Sequence, residues 1–175
     1  MTFDGDNLHV AAPGLHFLTG KPLDRLKDGL TVAYLSKLTL LSDSRGTVFR
    51  APAPERIIVS YDLWQMNFSV TLRGAAVRSS PRLSVPQAEA WCFDNLAIST
   101  LGLPPDRPFW LRWELRTADP RDLGSLLGDP GISLGRLIEM IGRKAGADDL
   151  RWERSAGPFR LQDLPRIPAI RGRIG

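Results

Sequence analysis

The sequence predicts an α+β protein, mainly an antiparallel β-sandwich or half-barrel with one central helix and one C-terminal helix. Three observations carry that prediction. Several segments alternate apolar and polar residues with the period of two that a half-buried strand imposes. In "RIIVSYDLWQMNFSVTL", Arg56 to Leu72, the alternation changes phase halfway. A hairpin does this when both of its strands face one core. Two longer stretches, around residues 85–96 and 132–143, instead repeat apolar residues at the three- and four-residue spacing of an amphipathic helix.

In chain order, Leu8 to Leu18 alternates at Leu8, Val10 and Ala12, breaks at Pro13-Gly14 and resumes at Leu15 and Phe17. It reads as a kinked edge strand, because proline cannot donate to a central ladder. "KPLDRLKDG" predicts a short helix: Pro22 stands near its start, Leu23 and Leu26 share a face, and Gly29 follows the last turn. From Leu30 the period returns to two, with Leu30, Val32, Tyr34, Leu38 and Leu40 on one side and a turn at "SDSRG".

The phase change then resolves into strands 56–61 and 66–72, joined through Asp62 to Gln65. Ile57, Val59, Tyr61 and Leu63 of the first half and Trp64, Met66, Phe68, Val70 and Leu72 of the second form two apolar sets, both expected to face one core. Asp62 suits the turn, since its carboxylate accepts nearby backbone N–H groups. Trp64 is expected to cover the hairpin end. Ser84 and Gln87 form a Ser-x-x-Gln capping box with Pro86 in the first turn, and Val85, Ala88, Cys92 and Leu96 follow on one face, Trp91 beside them. "RPFWLRWELRT" is a further strand, with Phe109, Leu111, Trp113 and Leu115 facing one way and Trp110, Arg112, Glu114 and Arg116 the other. Ile132, Leu134, Leu137, Ile138 and Ile141 set the last helix.

Residues 1–144 are thus expected to form a single β-rich domain, followed at 145–175 by a basic Pro/Gly/Arg-rich tail that is partly extended. The 175 residues are 43% apolar and 24% charged, values ordinary for one globular unit. No apolar run approaches the ~20 residues of a membrane-spanning helix. The N-terminus "MTFDGDNLHV" lacks the basic start and apolar core of a signal peptide, which predicts a cytoplasmic chain unless Met1 replaces a removed leader. The net charge of +4 is unevenly spread: residues 1–142 carry 15 basic and 15 acidic side chains, and residues 143–175 carry 8 and 4. A neutral body argues against nucleic acid, whose non-specific affinity is mostly electrostatic.

Chemistry-bearing patterns are sparse. His9 and His16 are the only histidines and no carboxylate is spaced to join them, so neither a metal nor any other cofactor is expected. Cys92, the one cysteine, excludes an internal disulfide and falls on an apolar helix face, where it is a small hydrophobe rather than a nucleophile. Phosphate-loop, dinucleotide and Gly-x-Ser-x-Gly motifs are absent. Asp62, Glu89 and Asp94 could in principle pair as acid and base, but turn or capping duty explains each, and no catalytic residue is assigned. Trp64, Trp91 and Trp113 read as core. Trp110, beside Arg112 and Arg116, is the candidate contact surface for a protein partner, because Trp and Arg dominate interface hot spots; the alternative is that Trp110 sits under the last helix or the tail.

The stretches "HFLTGKPLDRLKDGLTV", "ERIIVSYDLWQMNFSV" and "AEAWCFDNLAIS" followed by "RPFWLRWELR" resemble those of an uncharacterised bacterial family, a domain of unknown function in exported, signal-peptide-bearing proteins of the cell envelope. The resemblance continues weakly into "GISLGRLIEMIGRK" and "GPFRLQDLP". It implies a periplasmic or envelope location, from which this chain departs by showing no leader, and it brings no active-site residues. The expected function is a non-enzymatic binding or assembly domain. The alternative is a carrier of an apolar ligand or lipid, in a pocket lined by Phe68, Trp91 and Trp113 between sheet and helix.

Overall fold

The computed structural model describes residues 1–11, 14–118 and 150–167. The protein is α+β and mostly antiparallel, as two sheets pack with two helices around one core. The small sheet has the order β1 (Thr2–Phe3), β2 (Asn7–His9), β8 (Ala97–Ser99). The large sheet runs β10 (Arg151–Phe159), β9 (Phe109–Thr117), β3 (Val32–Leu41), β5 (Glu55–Asp62), β6 (Asn67–Arg73), β7 (Val77–Leu83). A short β4 (Val48–Arg50) joins the far end of β3.

The spine is β3. Its ten residues pair with β9 along one edge and with β5, then β4, along the other. Val32 and Tyr34 therefore pair with β5, and Tyr34, Leu38 and Leu40 with β9, and all four are buried. Leu30, expected on the same row, precedes the strand and is exposed. The hairpin forms as the phase change requires: Ile57 faces Leu72, Val59 faces Val70 and Tyr61 faces Phe68 in register. Burial of these side chains outweighs any strand propensity, at about 25 cal/mol per Å² of apolar surface removed from water.

Helix α1 (Lys21–Lys27) lies on β3 and β5. Gly29 ends it in the left-handed region at φ +80°, a conformation that costs glycine nothing. Helix α2 (Val85–Asp94) lies on β6 and β7, and the Ser84 N–H donates to Gln87 Oε1 at 2.9 Å in one arm of the expected capping box. A knot of edge-to-face rings fills the space between helices and sheet. Phe17 lies 5.2 Å from Tyr34, 6.1 Å from Phe93 and 6.4 Å from Trp152, and Phe93 lies 5.1 Å from Trp113.

Four expectations are corrected. Leu8 to Leu18 is not a kinked edge strand: β2 is short and central in the small sheet, and Leu15 to Leu18 run as a loop. Strands β4, β7 and β8 arise where no alternation announces them. The segment from 145 is no tail apart from the domain where it is described. Arg151 to Phe159 add a strand to β9, and a bridge from Phe3 to Arg166 then ties the C-terminal segment to β1. A strand face that would otherwise meet water gains Trp152 as cover, which explains why a charged segment is retained in the sheet. Lastly, Trp64 covers nothing, being 96% exposed. The helix expected at 132–143 lies outside the described residues.

Candidate functional site

Three groups of side chains stand out by position, and each is built by a different local rule. The first is the β5–β6 turn. Asp62 Oδ1 accepts the backbone N–H groups of Trp64 at 2.8 Å and Gln65 at 2.9 Å, so the carboxylate holds the turn as expected. Met66 closes it at φ +51°, a left-handed conformation that disfavours a side chain. Leu63 and Met66 are exposed with Trp64, and Leu63 rests beside Gly29 at the end of α1, where Leu30 is also exposed. Three large exposed apolar side chains, Leu63, Trp64 and Met66, therefore stand on the turn beyond the last pair of the hairpin, Asp62 with Asn67. Sequence reading missed this because alternation places Trp64 and Met66 in register with Phe68, but the strand begins only at Asn67.

The second is the outward face of β9 and β10. Trp110, Arg112 and Arg116 do share that face, as expected from alternation. Their surroundings are a ladder of charge. Arg151 Nη2 lies 2.8 Å from Glu114 Oε1 and 3.4 Å from Glu153 Oε2, and Arg112 Nε lies 3.6 Å from Glu153 Oε1. Trp110 is half-buried, and the backbone of Gly157 lies so close to its indole that a Cβ there has no room.

The third is a cleft of about 170 Å³ at the open end of the core. Val10, Leu38, Phe93, Leu96, Leu111 and Trp113 line it, with Arg154 in its wall. Of the three expected pocket residues only Trp113 belongs to it. Phe68 packs on Tyr61 at 4.7 Å on β6, with β5 and β3 between it and β9, and Trp91 is half-buried on α2. Alternation placed Phe68 and Trp113 correctly on the inward face; it could not tell which strands would be neighbours.

Buried polar groups complete the picture. Glu89, 3% exposed, accepts the backbone N–H groups of Phe17 at 2.7 Å and Leu18 at 2.8 Å with Oε1, while Oε2 meets His16 Nδ1 at 2.8 Å. Its carboxylate thus pins the loop after β2 to α2. Burial, reinforced by Glu89, pushes the Cys92 thiol up to about 12, and burial likewise raises Tyr34. The Tyr34 hydroxyl has no hydrogen-bond partner among the described residues. Asp4 is held well below the usual carboxylate range, first by His9 and then by the Asn7 N–H. Asp94 is exposed at the end of α2, so Asp62, Glu89 and Asp94 serve three separate local structures. Among the described residues no three His, Cys, Asp or Glu side chains are grouped to hold a metal ion.

Compared with protein-family models, curated proteins and solved structures, the chain matches none. The functional reading therefore rests on the geometry of these groups alone.

Proposed function

We propose that the protein is a non-enzymatic binding domain that makes its contact through the β5–β6 turn. The observation that carries this reading is the exposure of Trp64 on a turn braced by the Asp62 carboxylate. Leaving a tryptophan in water forgoes about 2 kcal/mol of burial, and contiguous exposed apolar groups mark contact sites. Among the described residues, three groups with chemical potential are engaged in structure: Glu89 holds a loop, Asp62 a turn, and Cys92 is a buried neutral thiol. The β9 ladder carries less of the reading than the turn, because Arg112 lies against Glu153 and Arg116 also has an interaction partner.

A photo-crosslinking amino acid placed at position 64 of the full chain tests it in living cells. An adduct at 64, with none at the exposed Arg78 as control, is the expected result. No adduct at 64 and a strong one at 112 would return the contact surface to the ladder.

A second reading, a carrier of a small apolar ligand, is favoured by the Phe93–Trp113 cleft. A cavity of about 150 Å³ accommodates benzene, so the ligand class is a single ring or short chain rather than a whole lipid. A benzene-sized compound should raise the melting temperature of the wild type and not of Ala156→Trp, which fills the cleft from β10. Equal responses would exclude this reading.

A further inference from the structure

We infer that the occupant of the β5–β6 turn is a lipid–water interface, into which Leu63, Trp64 and Met66 insert. This rests on the reading of that turn as the contact surface and names the chemistry that meets it. The first argument is area. A four-residue tip offers on the order of 400 Å² even with its aromatic fully covered, against the roughly 800 Å² that each partner contributes to a stable protein interface. A lipid surface sets no such minimum, because it deforms around the inserted groups instead of requiring a complementary pocket.

The second is shape and composition. The tip is convex, projecting beyond the paired residues Asp62 and Asn67, so it cannot receive a peptide or helix. Tryptophan, with an apolar body and a polar N–H, concentrates at the headgroup level of bilayers. Leucine and methionine flank it, and Leu30 stands beside them at the end of α1. Met66 adds a third observation. It holds a left-handed φ of +51° where asparagine or glycine would be relaxed, so strain and apolar exposure coincide at one residue.

The charges around the tip are compatible with that surface. Arg25 and Lys27 occupy the last turn of α1, against which Leu63 rests, and Arg82 precedes the residue paired with Phe68. Asp24 and Asp28 are the acidic groups of α1 and its cap, and the Asp62 carboxylate is held by its two N–H donors. Locally the signs balance. The chain as a whole carries +4, which favours approach to an anionic membrane. Apolar insertion fixes the site, and the long-range field assists the encounter.

The test is co-sedimentation of the full chain with vesicles of equimolar phosphatidylglycerol and phosphatidylcholine. Its companion is the double variant Trp64→Ser/Met66→Asn, in which asparagine suits the backbone at 66. The wild type should pellet with vesicles, and the variant should partition at least about tenfold less with a melting temperature no lower than the wild type's. Wild type left in the supernatant overturns the inference, as does a variant that pellets equally. Equally fatal would be a wild-type dimer, lost in the variant, that hides Trp64 without lipid. A protein adduct at position 64 in cells together with no vesicle binding would refute the lipid occupant while leaving the turn as the contact surface.

Discussion

Glu89 and Trp64 break the usual partition of polar and apolar residues in opposite senses, and the contrast is instructive. Glu89 is a carboxylate buried to 3% exposure, whereas Trp64 is a tryptophan 96% exposed. Every demand of Glu89 is met inside the chain: two backbone N–H groups and one imidazole surround its oxygens. Burying such a group is tolerable only when it is hydrogen-bonded, and here the bonds join α2 to a loop some seventy residues earlier. Trp64 has no such compensation. The same chain that satisfies an expensive buried charge leaves a large apolar side chain in water, on a turn that is itself well hydrogen-bonded. A buried polar residue with all its partners explains itself as structure; an exposed apolar one points outward.

Glu89→Ala should have the largest effect, because it orphans the N–H groups of Phe17 and Leu18 in the core. A loss of about 3 kcal/mol is expected from chemical denaturation, and Glu89→Gln, which keeps an acceptor, should lose less. A cost below about 1 kcal/mol would mean that the loop is held by Phe17 packing alone.

The pH dependence around Cys92 should come next. Its folded value, about 12, lies above the ordinary 9.0, so the unfolded chain gives up this proton first. Stability is therefore undiminished below about pH 9 and falls as pH rises from there towards the folded value. Raised Tyr34 adds a slope of the same sign. Denaturation midpoints at about pH 8 and about pH 11 should converge partly in Cys92→Ala, which removes the thiol's share and leaves that of Tyr34. An unchanged slope in the variant would show that the thiol is more solvated than its burial implies.

The smallest effects belong to the turn, and their smallness sharpens the contrast. Met66→Asn should stabilise by about 1 kcal/mol by relieving the left-handed strain, and Trp64→Ser should change stability by less than about 0.5 kcal/mol. A large loss on replacing Trp64 would make it a packing residue and erase the distinction from Glu89.

How much of this was legible beforehand depends on the range of the interaction that decides each feature. Inward rows Val32–Leu40 and Phe109–Leu115, the starts of α1 and α2, the Ser84–Gln87 box and the Asp62 turn all follow from neighbours two to four residues apart, and the amino-acid order alone determined them; the end of α2, expected at 96, instead falls at Asp94 and leaves Leu96 beyond the cap. The candidate site was less legible. Trp64 and Trp113 sit in similar apolar alternations, yet one is 96% and the other 6% exposed, because a strand's last paired residue is set by its partner and not by its own pattern. Strand β7, "VRSSPRL", shows no apolar period at all. It pairs because β6 offers a free edge of N–H and C=O groups, and backbone pairing is indifferent to side chains. The same holds for β10, whose charged residues read as a tail until β9 is placed beside them. The Glu89 node likewise joins residues far apart in the chain, which no local spacing encodes. Short-range periodicity determined which residues point inward. Only the tertiary structure decided which strands are neighbours and where the turn leaves the sheet, because hydrogen bonds and burial between distant segments depend on what else has folded nearby.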